Sequence, residues 1–409
     1  MTLPFSLFLA LKYLKPKRTF LSVVTVLSVL GVLLGVAVLI IVLSVMTGFD
    51  EMWRTKILDF NAHITVSVPG GLADEEESLC AAIEEVPGVT GAAPFLQSLV
   101  FIQKPNGQVE TPMIRGIDPD REGRVSRIPE RLVAGEFSVA DGAVVIGGDL
   151  AARLGVGVGD TLTVYSPATF LGEEEIRLPS EMTIAGLFEM GMWEFDMGYM
   201  LASLWETRDF CGGAGLEAIQ VMTADPYAAE TVAAALRARL GPDVRISTWM
   251  EQNQQLFAAL RVEKNMMFFL LIFITIVAAF GITNTLITVT VQKTREIGLL
   301  RSLGFSAGGI MRVFFWQGWI EGVLGTSLGV VTGLVVLKYR NHLLRLLNDR
   351  FGMQLLPEEL YHLAELPAHT LPGDVALVAV SVLVICTLAA VIPAWQAARL
   401  DPVGALRYE

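Results

Sequence analysis

Lysine never follows glycine in the 409 residues. A phosphate-cradling P-loop needs that pair, so no nucleotide site of that type resides in this chain. None of the four histidines is followed by glutamate, which removes the zincin helix. His362 and His369 stand near Tyr361 and Glu365, a setting that reads as solvated loop rather than metal site. No catalytic residue and no metal ligand is assigned. Cysteine is scarce: Cys80, Cys211 and Cys386, the last inside an apolar run. No disulfide framework is implied, and spacing leaves open whether Cys80 and Cys211 pair. Charge is missing from two long stretches, Thr19–Met46 and Met266–Val291, and Val313–Leu337 carries only Glu321. Runs of that length are long enough to cross a bilayer.

What charge there is divides unevenly. Residues 47–260 hold 32 acidic and 14 basic side chains within an overall net charge of −12. The segments flanking the apolar runs are basic instead. A nucleic-acid binder needs a basic face, and the large acidic stretch offers none. The first apolar run is too long for a secretory leader and is expected to stay as a span.

Between two apolar runs lies Gln292-Lys-Thr-Arg-Glu-Ile-Gly-Leu-Leu-Arg-Ser-Leu-Gly304. A short loop holding Lys293, Arg295 and Arg301 is expected on the cytoplasmic side by the positive-inside rule. Its pattern is helical, with Ile297, Leu300 and Leu303 on one face and Arg295 and Arg301 off it. Two readings stand: a turn lying among headgroups, or a handle gripped by a cytoplasmic partner.

The run Thr294–Phe305, followed by Ile310-Met-Arg-Val-Phe-Phe-Trp-Gln-Gly318, resembles the coupling helix of the MacB/FtsX-type ABC permease superfamily. Ala10-Leu-Lys-Tyr-Leu14, Ile41–Phe49, Ile57–Thr65 and the ending Ile392–Glu409 agree with it. Within that superfamily the chain looks like a lipoprotein-releasing permease of the LolC/LolE type. The resemblance implies an α-helical membrane protein with four transmembrane helices and an α+β periplasmic domain. That domain, a porter-like lobe with an inserted small β lobe, lies between helices one and two. The expected plan is a cytoplasmic amphipathic start (1–18), helix 1 (19–46), the periplasmic domain (47–262) and helix 2 (263–291). A coupling helix (292–304), helix 3 (305–340), a periplasmic loop (341–372), helix 4 (373–398) and a cytoplasmic tail (399–409) complete it.

Hydropathy alternation from Ile64 reads as a strand, and further strands are expected at Phe95–Gln103, Glu110–Gly116, Gly142–Gly147, Asp160–Tyr165, Met182–Phe188, Ala218–Met222 and Val244–Ser247. Helices are expected at Asp74–Glu85, Gly148–Leu154 and Pro226–Leu240. Trp249–Leu260 is expected to run into helix 2 as one stalk. Lys104-Pro-Asn-Gly107 is a hairpin signal. Glu189–Asp196 reads as core strand or contact pad, with core favoured. Glycines 318, 322, 325, 329 and 333 form a packing stripe, and Glu321 is expected to pair with Arg312 or backbone.

The resemblance also implies partners and contact residues. A separate LolD-type ABC ATPase, which holds the ATP and Mg, is expected to grip Arg295, Glu296, Ile297, Leu300, Arg301 and Leu303. No cofactor is expected on this chain. A second permease copy or a paralogue is expected alongside, and the seam between them, near Gly31, Gly35, Met46 and Phe49, would admit an acylated lipoprotein from membrane lipid. Packing within one chain reads the Gly31/Gly35 pair equally well. Ser166–Ser180 reads either as an ordinary hairpin loop or as a carrier-contact loop. In the second reading Pro167, Phe170, Leu171 and Pro179 would meet a LolA-type periplasmic lipoprotein carrier. The run Glu173-Glu-Glu175 departs from an apolar hook. Two alternatives to lipoprotein release remain: an exporter or signal transmitter of the same superfamily, serving peptides, drugs or a cell-wall hydrolase, and a non-energised membrane-anchored interaction domain. The implied location is a bacterial inner membrane.

Overall fold

The computed structural model describes residues 5–14, 20–72, 76–103, 108–166, 178–212, 215–351 and 366–399. The chain divides into two compact units. One comprises Met1–Glu51, Ala259–Met353 and Glu365–Glu409; the other comprises Met52–Ala258 and Gln354–Ala364.

Helix α1 covers Phe5–Leu14, and α2 is one unbroken helix over Phe20–Phe60. The apolar run expected to stop at Met46 therefore continues as helix to Phe60. No proline stands between them to end it.

The second unit then builds β1 (Ile64–Ser67), α3 (Glu76–Glu84), β2 (Val89–Leu99), β3 (Phe101–Gln103), β4 (Val109–Glu110), β5 (Met113–Ile117) and α4 (Pro119–Glu122). It continues with β6 (Leu132–Gly135), β7 (Ala143–Gly147), α5 (Gly148–Leu154), β8 (Thr161–Tyr165), β9 (Ser180–Phe188), α6 (Trp193–Gly198) and β10 (Tyr199–Ser203). Helix α7 (Leu204–Cys211), β11 (Leu216–Thr223), α8 (Ala229–Leu240), β12 (Arg245–Thr248) and the short α9 (Trp249–Gln252) close it. The eight expected strand regions and three helical regions are all present. Strands β6 and β10 and helices α4, α6 and α7 were not anticipated. The expected turn at 104–107 lies outside the described residues, though β3 and β4 do pair antiparallel around it.

The small inserted lobe is not a separate sheet. Twelve strands form one mixed sheet in the order β12-β1-β11-β2-β5-β10-β7-β9-β8-β3-β4, with β6 on β9. The parallel pair β5–β10, in register at Ile114↔Met200, joins the two halves. Two cores pack against the sheet, divided by its faces rather than by lobe, since Val145 and Leu201 enter the first and their strand neighbours Val144, Ile146 and Met200 the second. The first gathers Phe60, Ile64, Ile219, Phe188 and Trp249; the second gathers Leu96, Val100, Ile146, Val164 and Ile184. Cys80 and Cys211 are buried and free, which settles the pairing question. Residues Met190, Met192 and Phe195 are core, as expected, but in a turn and helix rather than a strand. The Asp196 carboxylate accepts backbone N–H bonds from Met190 (2.6 Å), Gly191 (2.8 Å) and Met192 (3.0 Å), which folds that segment back on itself.

The last turns of α2 are held in this unit by several bonds. The Phe60 ring stacks on Phe195 at 4.1 Å and meets Tyr199 edge-on at 4.7 Å. The buried Arg115 guanidinium lies 4.6 Å from the Phe60 ring and donates to Phe60 O (3.3 Å) and Asn61 Oδ1 (2.9 Å). Asp59 pairs with Arg127 (3.3 Å) and Arg131 (3.1 Å), and Lys56 donates to Met190 O (3.1 Å).

The first unit resumes at Ala259, within α10 (Gln254–Gln292), and continues with α11 (Thr294–Ser302), α12 (Ala307–Lys338), α13 (Arg340–Phe351) and α14 (Pro372–Ala398). The expected continuous stalk from Trp249 is interrupted at Asn253 (φ −101°, ψ 23°), so α9 and α10 are separate helices. The expected loop 341–372 opens with a helix, α13. Among the described residues four helices, α2, α10, α12 and α14, are long and apolar enough to cross a membrane.

The glycine stripe on α12 is a packing face. A Cβ on Gly325 would stand 2.6 Å from Val32 Cβ, and one on Gly329 would stand 2.7 Å from Val36 Cβ. Gly318 and Gly322 face Ala390 and Cys386 on α14. Glu321 is fully buried, but its partner is Gln317 Nε2 (3.3 Å), not Arg312, whose side chain is exposed. One helical turn separates Gln317 from Glu321, which lets them meet without either leaving the core.

Candidate functional site

The charged segment between the second and third apolar helices has a defined local design. Lys293 (φ −100°, ψ 9°) breaks α10 from α11. Thr294 Oγ1 caps the joint by donating to Thr290 O (3.0 Å) and Val291 O (2.8 Å). At the other end Gly304 adopts φ +93°, the left-handed conformation that ends helices, and Phe305 N–H reaches back to Leu300 O (3.0 Å). Ser306 then starts α12 as its N-cap, accepting from Gly309 N (3.2 Å). Gly304-Phe-Ser-Ala-Gly308 spells a hydrolase elbow pattern, but here the serine follows a helix and caps another, so that chemistry has no setting.

Three contacts fix the rotation of α11 about its axis. Ile297 is 1% exposed and belongs to the helical core with Leu286, Ile310, Phe314 and Ala394. Arg301 Nη1 donates to Ala398 O (3.1 Å), placing a cation on the C-terminal end of α14, where the helix dipole favours it. Glu296 accepts from Lys293 Nζ (2.5 Å), and Tyr13 of α1 reaches the same carboxylate. Burial, followed by the Glu296 charge and hydrogen bond, pushes the Tyr13 phenol well above its ordinary range. The Lys293 ammonium lies 5.4 Å from the Tyr13 ring, and the Phe5 ring of α1 sits edge-on to Phe305 at 5.1 Å. The amphipathic start is thus a brace beside α11.

These contacts re-sort the expected docking face. Ile297 is not available to a partner, because the same side of α11 that carries it is packed under the apolar helices. Leu300 and Arg301 are half-buried. Arg295 and Glu296 are exposed, and Leu303 is 77% exposed. Leu299, 55% exposed and four residues before Leu303, was missed. Its i, i+4 spacing to Leu303 was the signal in the sequence. The surface on offer is an apolar pair, Leu299 and Leu303, with Arg295 and Glu296 at its side.

The other expected contact residues fall differently. Gly31 is exposed with nothing near its Cβ position, and a Cβ on Gly35 would only touch Ile274 at 3.4 Å. Met46 and Phe49 are half-buried, and between them a Cβ on Gly48 would come within 2.5 Å of the Ala368 backbone. His369 N–H donates to Ser44 O (2.8 Å) and its ring meets Glu51. Pro167, Phe170 and Leu171 lie outside the described residues. Pro179 is exposed beside Leu178 and lines a cavity of about 460 Å³ with Trp205, Glu206 and Asp209.

Comparison with known proteins agrees with this architecture. Residues 25–239 match the MacB-like periplasmic core domain family, and residues 268–402 match the FtsX-like permease C-terminal family. The chain is 34% identical over 99% of both chains to the lipoprotein-releasing system transmembrane protein LolC of Xylella fastidiosa. It is 30% identical over 98% of both to LolC of Neisseria meningitidis, and 24% identical over 96% of both to LolE of Haemophilus influenzae. Full-length identity of this degree, on a chain of apolar helices carrying a mixed-sheet domain, shows that it belongs to the LolC/LolE-type lipoprotein-releasing permeases of the MacB/FtsX superfamily.

Proposed function

We propose that the chain is the non-catalytic membrane subunit of an ATP-driven complex that lifts acylated lipoproteins from the outer leaflet of the inner membrane and passes them to a periplasmic carrier. The observation that carries this reading is α11. It presents Arg295, Leu299 and Leu303 outward while Ile297 and Arg301 root it in the helical core. A separate LolD-type ATPase, with its ATP and Mg, would hold that face from the cytoplasm. Four spans would put residues 1–18, 292–304 and 399–409 inside and residues 47–262 and 341–372 outside.

Transmission would be mechanical. Helix α2 has 41 residues and α10 has 39, so each is a rod of about 60 Å at 1.5 Å rise per residue. That is about twice the hydrocarbon thickness of a bilayer. Closure of two ATPase subunits would draw the rods of two permease chains, identical or paralogous, toward each other. The lipid-modified cargo would enter near Gly31, Gly35, Met46 and Phe49 and leave toward a LolA-type carrier at the 166–180 loop. Co-purification of the chain with an ATPase, followed by transfer of acylated cargo to a soluble carrier, tests the reading. ATP-dependent transfer supports it; release that ignores ATP overturns it.

A further inference from the structure

Helix α13 follows α12 after a single residue, Tyr339 (φ −103°, ψ 13°). The apolar part of α12 ends at Leu337, so Lys338 and Tyr339 stand where hydrocarbon gives way to headgroups. The base of α13 is tied there. Arg340 Nε donates to Leu366 O (2.6 Å), and Asn341 Oδ1 accepts from Leu366 N (3.2 Å), just ahead of α14.

Along α13 the side chains separate by face. Asn341, Leu344 and Leu347 are half-buried. Tyr339, Leu343, Leu346 and Arg350 recur at i, i+4, i+7 and i+11 and are all exposed. That spacing makes one strip: an aromatic at the span end, two leucines, then an arginine. His342, Arg345 and Asp349 lie off it. From Lys338 to Phe351 there are four Lys/Arg side chains and one carboxylate. The sheet-bearing stretch is the opposite, 32 acidic against 14 basic over residues 47–260. An acidic surface is repelled by phosphate headgroups, and a basic amphipathic helix is drawn to them.

We infer that α13 lies in the headgroup layer of the outer leaflet and binds anionic phospholipid, with Leu343 and Leu346 in the acyl boundary and Arg345 and Arg350 on lipid phosphates. Arg350 can do so from within the apolar strip because its long stem lets the guanidinium snorkel outward. The inference goes beyond the lipoprotein-release reading and needs no ATPase, only that the four apolar helices span.

The test uses the full chain in vesicles with a nitroxide at Leu346→Cys or at Asn348→Cys; the three native cysteines are buried. Vesicles of phosphatidylcholine alone are compared with vesicles containing about 30% phosphatidylglycerol, whose charge strengthens docking of a basic helix. The expected result is that the label at 346 is open to oxygen and closed to a water-soluble nickel complex, more so with phosphatidylglycerol, while the label at 348 is open to nickel. Replacing Arg345→Gln and Arg350→Gln should lower the docked-to-undocked ratio by about 30-fold, taking about 1 kcal/mol per near-surface cation. Nickel access at both positions, indifferent to headgroup charge, overturns the inference. A label at 346 closed to both oxygen and nickel also overturns it, because a protein surface would then cover the strip.

Discussion

The glycine stripe on α12 supplies the sharpest test of how the helices pack. Gly329→Ala adds one methyl group whose carbon would stand 2.7 Å from Val36 Cβ and 2.8 Å from Leu33 O on α2. Neither neighbour is the free end of a flexible chain, so the two helices must part. Overpacking of this kind costs about 1–3 kcal/mol. Gly31→Ala is the internal control, since nothing lies within 4 Å of its Cβ position. There the substitution only removes glycine's helix penalty, a gain of up to about 1 kcal/mol. Both substitutions share that gain, so their difference isolates the packing term. Thermal unfolding of the full chain in detergent should show Gly329→Ala less stable than Gly31→Ala by about 2 kcal/mol. Equal midpoints for the two variants would refute close approach of α12 to α2.

On α11, if the proposed ATPase docks there, Leu303→Asp should abolish its capture while leaving the unfolding midpoint in place. Ile297→Ala should do the reverse, lowering stability by about 2–5 kcal/mol as buried large-to-small changes do; co-purification and thermal unfolding read the two. In the sheet-bearing unit, His63 Nδ1 accepts from Thr223 N–H (3.1 Å), and burial first of all lowers its pKa below the ordinary 6.5. The unfolded chain then binds the proton more readily, so stability should be complete above pH 6.5 and fall as pH drops below it. The slope is at most about 1.4 kcal/mol per pH unit and should vanish in His63→Gln. Arg115→Met keeps the stem but strands Phe60 O and Asn61 Oδ1 without donors. A loss of about 2 kcal/mol is expected in denaturant unfolding, and an unchanged midpoint would show that the Arg115 bonds contribute nothing to holding the end of α2.

Much was legible in the order of residues. Uncharged runs announce long apolar helices, because a charge in hydrocarbon is too costly to hide. The run from Thr294 to Phe305 announces a helix between two of them, and Gly304 its end, because few other residues accept φ +93°. Alternation placed the strand at Ile64, and the helix Gly148–Leu154 matched to the residue. Even the family could be read from the chain alone.

Other features were decided only in three dimensions. Ile297, Leu300 and Leu303 satisfy one helical face in sequence, yet α11 is rotated so that Ile297 points into the core and Leu299 faces out. A nine-residue helix carries too little apolar area to set its own orientation; the neighbouring helices and the Arg301–Ala398 bond set it. The single sheet is a second case. Whether two lobes share hydrogen bonds depends on which strand edges meet, and β10, which joins them, is short and follows a helix rather than a turn. Strand pairing between distant residues leaves no local pattern, since each edge would satisfy its backbone equally well with another. The chain by itself determined which segments seek lipid and which seek a core, because transfer from water is a property of each side chain. Which faces of those segments remain open to partners was settled only by packing, because exposure is a property of neighbours.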